Sequence, residues 1–383
     1  MQLRDFVDAM TADEPPMARS ADDIIVAGRR AERRRRAGFA AAGAAGLVVV
    51  AVAGAFVLPS FGAEPAITAA PPVIDAKPAG TAPFTFTFRG YDAGKFHVQD
   101  PITASRAYEM APVYLDGRFT NDKSISADET PDPDARTRPR INAFLTVYRP
   151  GAFDPSGVQG GQEVTVAGRT AVQATLPAEL DPQQPLDPGN KMLAWEYADN
   201  AWAVVTSQSN SRTEPSFADL GTLVPGLKPA TPRPVMLPFT VGHIPAGYEP
   251  VHVGSHAMPG LGGIYLARDG DYGGVTYART APATTGLTAP YEQGTGPIPG
   301  SFSIFVQPSR NGNQQAQAGR TECYKYPVCN VWSADGKTLV QVAADRTGAE
   351  LSTAELTRIV ESIKVADVAK DATWTPAAEA LRR

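Results

Sequence analysis

The chain has 383 residues, 20% of them charged, with 35 Gly and 35 Pro. That length holds two ordinary domains, and so much Gly and Pro without a strict period favours short strands and many turns over long helices. The net charge of −5 is uneven: residues 1–36 carry eight Arg against seven Asp or Glu, so the remainder sums to about −6, which excludes a general attraction for nucleic acid because phosphate binding needs a concentrated basic face.

Residues 1–36 open with Leu3, Phe6, Val7 and Met10 at helical spacing, then break at Pro15-Pro16. Ser20-Ala-Asp-Asp23 has the form of a capping box before Ile24, Ile25 and Val26. Two short amphipathic helices here suit a cytoplasmic protein partner bound through residues 1–26. A helix lying on the inner leaflet and a disordered arm are the alternatives.

Residues 37–58 contain no charged or polar side chain. As a helix at ~1.5 Å per residue they span about 33 Å, matching a hydrocarbon core of about 30 Å. Nine strongly apolar residues contribute roughly −0.3 to −0.6 kcal/mol each on an insertion scale, opposed by no charge. Arg29, Arg30, Arg33, Arg34, Arg35 and Arg36 precede the segment, while the next twenty residues offer Lys77 alone. This arginine collar is the topology signal: the N-terminus stays in the cytoplasm and the C-terminal part is exported, as a single-pass protein of the cell membrane. A cleaved leader would export the same part. Residues 59–82, rich in Ala and Pro, form a semi-rigid stalk.

The exported part repeats itself. Pro83-Phe84-Thr85-Phe86 returns as Pro238-Phe239-Thr240-Val241. Phe144 and Pro150, like Phe302 and Pro308, stand six apart, and Gly168-Arg169-Thr170 returns as Gly319-Arg320-Thr321. Trp195 followed by Asp199-Asn200 matches Trp332 followed by Asp335-Gly336, and 17 residues separate Asp199 from Ser216 as they do Asp335 from Ser352. Asp-Asn and Asp-Gly between apolar runs are hairpin turns. Ser216-x-x-Asp219 and Ser352-x-x-Glu355 start helices, with Leu220 and Leu223, or Leu356, Ile359, Val360 and Ile363, recurring behind them.

The fold class expected is therefore α+β: two tandem similar lobes, 83–230 and 235–366, each a mostly antiparallel sheet with a C-terminal helix packed on it, preceded by one transmembrane helix. Strands are expected at 84–89, 143–148, 163–176, 274–278 and 302–307, and residues 367–383 as a loose tail with a short helix near its end.

Cys323 and Cys329 are the two cysteines. In an oxidising compartment they close a small loop as a disulfide, and two unpaired thiols are the alternative. Neither follows the apolar segment as a lipoprotein anchor would. His252 and His256 stand four apart, but Pro-Val-His-Val-Gly-Ser-His favours a strand or surface turn over a metal-binding helix. Asp269-Gly-Asp271 has the start of a calcium loop, but Thr280 stands where a bidentate Glu is needed. No G-x-S-x-G, S-x-x-K, Walker or dinucleotide motif occurs. Catalytic, cofactor-binding and metal-binding residues are accordingly assigned to none, with a carboxylate-pair hydrolase the minority alternative. Tyr324 and Tyr326 are candidates for binding.

The leader Leu3-Arg-Asp-Phe, the run Gly28-Arg-Arg-Ala-Glu-Arg-Arg-Arg-Arg36 and the paired hairpin and Ser-capped helix units resemble actinobacterial single-pass membrane proteins with a duplicated extracytoplasmic domain, often associated with extracytoplasmic-function sigma factors. That resemblance implies a sensor or sigma-regulator role. The zinc-type anti-sigma motif H-x-x-x-C-x-x-C is absent from the arm, which argues against direct sequestration. The function expected is non-enzymatic sensing or binding of an unknown envelope ligand. An envelope scaffold or carrier is the alternative.

Overall fold

The structure, a computed structural model, describes residues 83–115, 141–176, 190–208, 214–255, 258–259, 265–266, 271–291, 298–309, 316–324, 327–345 and 351–382, all within the compact unit Thr68–Arg383. The arm, the apolar segment 37–58 and the stalk lie outside the described residues. Among those described, no helix is long and apolar enough to cross a membrane.

The first half supplies β1 (Thr85–Phe88), β2 (Tyr91–Ala93), β3 (Phe96–Val98), β4 (Thr103–Ser105), β5 (Tyr108–Leu115), β6 (Ile141–Tyr148), β7 (Gln162–Val166), β8 (Arg169–Thr175), β9 (Lys191–Ala198), β10 (Ala201–Ser207) and helix α1 (Phe217–Gly221). The second supplies β11 (Pro229–Pro234), β12 (Met236–Leu237), β13 (Phe239–Val241), β14 (Glu249–Gly254), β15 (Met258–Pro259), β16 (Tyr265–Leu266), β17 (Gly273–Ala278), β18 (Phe302–Pro308), β19 (Thr321–Cys323), β20 (Val328–Trp332) and β21 (Thr338–Ala344). Helix α2 (Thr353–Ser362), β22 (Ile363–Val365), β23 (Thr375–Pro376) and helix α3 (Ala377–Ala380) complete it.

Fifteen of these strands form one sheet in the order β19-β20-β21-β18-β17-β14-β4-β5-β6-β10-β9-β8-β7, with β3 and then β2 branching from β5. The fold is mostly antiparallel sheet with few helices. Both halves of the sequence share that sheet, meeting where His252, Val253 and Gly254 of β14 face Ser105, Ala104 and Thr103 of β4. Outward from this seam one side runs β5, β6, β10, β9, β8 and the other β17, β18, β21, β20, β19. β1 and β13 lie outside this sheet, each paired with a strand that comes after a helix: β1 with β11, β13 with β22.

Local chemistry explains the elements. β5 and β6 are buried along almost their whole length, as central strands covered on both faces are. Asn200 (φ 52°) and Gly336 (φ 70°) make the two expected hairpin turns in the left-handed region. Ser216 caps α1 through a reciprocal box with Asp219, and Ser352 caps α2 by accepting from the Glu355 N–H. Leu220 and Leu223 then pack against Trp195 in one core cluster, and Leu356, Ile359 and Val360 against Cys329, Val340 and Val342 in another.

Two expectations are corrected. Residues 163–176 are not one strand but the hairpin β7–β8, because Ala167 (φ 50°) and Gly168 (φ 77°) turn the chain. The C-terminal residues are no loose tail: β23 pairs with β12, and Ala377 and Ala380 of α3 are buried in the second-half core.

Candidate functional site

β1 is the first described strand after the predicted stalk, and it is held by side chains rather than by the large sheet's ladder. Its partner β11 adds only a two-stranded ribbon. Beneath that ribbon lies Glu109 of β5, with 0% of its residue surface exposed. Its carboxylate accepts the Thr87 N–H at 2.7 Å and the Thr87 hydroxyl. Arg149, directly after β6, places Nη1 3.4 Å from the same carboxylate and donates from Nη2 to the Thr85 carbonyl at 2.7 Å. Main-chain bonds position both partners: Arg149 N–H donates to the Ala107 carbonyl at 2.8 Å, and Ser105 Oγ accepts from Ala107 and Tyr108 in the β4–β5 turn.

Burial pushes the Glu109 carboxyl above its ordinary range, opposed by the Arg149 charge and the Thr87 bonds. Removing Arg149 would leave the fully buried Glu109 carboxylate without its counter-charge. Around this pair runs a more exposed shell. Asp100 contacts Arg89 at 3.1 Å and Arg233 at 2.9 Å and accepts the Gly90 N–H at 2.8 Å. Burial raises Asp100, but Gly90, Arg233 and Arg89 together outweigh it and leave its carboxyl below the usual value. The Arg233 guanidinium lies 5.0 Å over the Phe86 ring. Chemically the arrangement is a clasp: five charged side chains and two threonines tie the entry strand to the seam region of the sheet.

Residues Tyr108 and Tyr148, neighbours of this pair in β5 and β6, belong to an aromatic cluster with Phe153, Trp202 and Tyr291. The Tyr291 N–H donates to Tyr108 Oη at 2.9 Å, and the His252 ring lies 5.9 Å from that of Tyr108.

Cys323 and Cys329 are bonded as a disulfide and face each other across β19 and β20. They touch α2 through Thr357, whose Oγ1 is 3.2 Å from Cys323 Sγ. Neither cysteine approaches Glu109 in any described contact. His252 is buried in β14 rather than placed in a surface turn, because its strand is the seam strand. His97 pairs with Asp92 on an exposed hairpin and His243 with Glu355, each at 2.5 Å. Tyr324 donates to Glu322 at 2.8 Å. His256, Asp269, Tyr326 and the arginines 29–36 lie outside the described residues.

Sequence reasoning missed Glu109 and Arg149. The signal was there: Glu109 is the lone charge in Tyr-Glu-Met-Ala-Pro-Val-Tyr-Leu, and Arg149 ends an eight-residue strand whose every residue is buried. A charge inside an apolar strand needs a partner.

No family model matches the sequence, and no curated protein matches it. Solved structures that do match include a crystal structure of MucB in complex with MucA(peri) and the complex structure of Pseudomonas aeruginosa MucA/MucB. They are 14% and 15% identical, and each comparison covers 74% of this chain and 93% of the other with a TM-score of 0.20. A superposition at that score carries no weight for activity or partner.

Proposed function

We propose that this chain is a non-enzymatic extracytoplasmic sensing and binding protein, anchored by residues 37–58, whose arm couples it to a cytoplasmic regulator of the sigma-factor kind. The single observation that carries this reading is the clasp at β1. The first described strand after the stalk segment in sequence is fastened to the sheet by the buried Glu109–Arg149 pair, which supports a role for the seam in coupling. A buried pair is suited to such a role because it is two-state: intact, or stranded at high cost. The ectodomain itself is read as two duplicated lobes, 83–230 and 235–366. The matching strand order on either side of the seam and the matching ribbons β1–β11 and β13–β22 support that reading.

The test deletes residues 1–26 while keeping the arginine collar. Membrane insertion should persist and the transcriptional response to envelope stress should disappear. An unchanged response would leave the arm as a topology signal alone and favour an envelope scaffold or carrier.

A further inference from the structure

A cleft of about 430 Å³ lies between β22 and the β20–β21 hairpin, away from the clasp. Val331, Val340, Ile363, Val365 and Val368 give it an apolar floor. Its volume is in the range of ligand clefts. Val365 is 39% exposed, one of two large hydrophobic residues exposed among those described, so apolar surface is presented here that folding did not cover.

The backbone at this wall is unpaired as well. Ala366 N–H donates to the Pro238 carbonyl and Gly242 N–H to the Ser362 carbonyl, which fixes the phase of the β13–β22 ladder. Thr240 and Lys364 face each other in it, and alternation turns the peptide groups of Ile363 and Val365 away from β13. The Ile363 N–H closes the end of α2 on the Val360 carbonyl. The Val365 N–H and C=O and the Ile363 C=O carry no partner among the described residues. These are the groups to which an added strand bonds.

The charge at the rim selects what would add. Asp335 and Asp367 line the cleft, and among the described residues no basic side chain does. Ser333 Oγ at 2.6 Å and the Lys337 N–H at 3.1 Å hold one Asp335 oxygen and keep its carboxyl below the usual value. Asp367 is paired with Lys370 at 2.6 Å, whereas Asp335 feels the Lys337 charge without an ion pair to it among the described residues, so its carboxylate remains open to a basic partner.

We infer that the free edge of β22 is a docking site for an extended segment of a partner protein, which pairs with Val365 as a third strand, seats alternate β-branched side chains in the cleft and sets a basic residue against Asp335. The assignment goes beyond the signalling role and does not depend on it.

The experiment titrates the full-length chain into a fluorescein-labelled peptide, Thr-Val-Thr-Val-Thr-Arg-Thr, whose arginine shares the face of its valines, and into its twin N-methylated at the central residue. Saturable binding of the first and roughly tenfold weaker binding of the twin are expected, since the twin cannot complete the ladder. Val365→Pro removes the outward N–H and should cost roughly tenfold. Val365→Lys, on an exposed side chain that should not disturb folding, should weaken binding as well, and Asp335→Lys should do so several-fold by like-charge repulsion. A thermal melt confirms that each variant is folded. No binding by the wild-type chain, or binding by Val365→Pro and Val365→Lys as tight as that of the wild type, would overturn the assignment. Self-association of the chain that Val365→Lys abolishes would assign the edge to a second copy and overturn it too.

Discussion

Glu109 and Arg149 form an ion pair in which the carboxylate is fully closed to solvent while the guanidinium keeps a narrow opening to it. Its environment makes loss of one partner far worse than neutral replacement. Arg149→Met should cost about 3–5 kcal/mol by leaving a buried carboxylate with Thr87 alone. Glu109→Gln keeps an acceptor for the Thr87 N–H and should cost less. Urea denaturation of both variants checks the order, and equal costs would refute the pair's burial.

Acidity should act on the same carboxyl in a defined direction. The folded Glu109 value is raised by burial above that of the unfolded chain, so its contribution is full below the ordinary Glu range of about 4.3 and is lost as pH rises through the folded value. Compared with Glu109→Gln, the wild type should therefore lose stability on going from pH 4 towards neutrality. Urea midpoints of the two proteins over that window read the difference.

Asp219 works with the opposite sign. The Lys95 bond and the Ser216 bonds of the capping box hold its carboxyl down at about 2. Its stabilisation is present above the ordinary Asp range of about 3.9 and is lost as pH falls through the folded value. Ser216→Ala should cost about 1 kcal/mol at neutral pH, and Asp219→Asn should flatten the fall in stability between pH 4 and pH 2. Circular dichroism melts at those pH values provide the measurement.

Reduction should loosen one edge and spare the seam. The disulfide closes a loop of sequence separation 6, worth about 2 kcal/mol on a chain-entropy account. Under dithiothreitol, amide exchange in β19 and across to α2 should accelerate while β5 and β6 stay protected. Uniform acceleration over the whole sheet would contradict this.

Gly254 tests whether the two halves act as one body. It holds φ 136°, and an added Cβ would sit 2.1 Å from the Ile102 carbonyl oxygen at the β4–β14 seam. Gly254→Ala should destabilise by more than about 1 kcal/mol and should separate one unfolding transition into two. Calorimetry distinguishes that from a simple shift.

Much of the local structure was legible because it is written in short-range chemistry. Ser216 and Ser352 can be read as caps, and Asn200 and Gly336 as turns, since each residue meets its own requirement within four positions. Trp195 and Trp332 show where that legibility ends. Their surroundings match in sequence, yet Trp195 packs in the cluster of α1, whereas Trp332 lies on the face away from α2. Trp195 stands four residues before Asp199 and Trp332 three before Asp335, and a one-residue offset in a strand changes the face.

The amino-acid order by itself determined the uncharged stretch and its arginine collar, the repeated hairpin and helix signals and the closely spaced cysteines, since solvation, capping and turn preference act between near neighbours. Tertiary structure alone decided that the halves share one sheet through β4 and β14, that Glu109 meets Arg149 and Thr87 under the entry ribbon, and that β22 pairs with β13 alone among the described strands. Those outcomes depend on strand order and on which face each residue takes, and both are fixed by contacts between segments far apart in the chain.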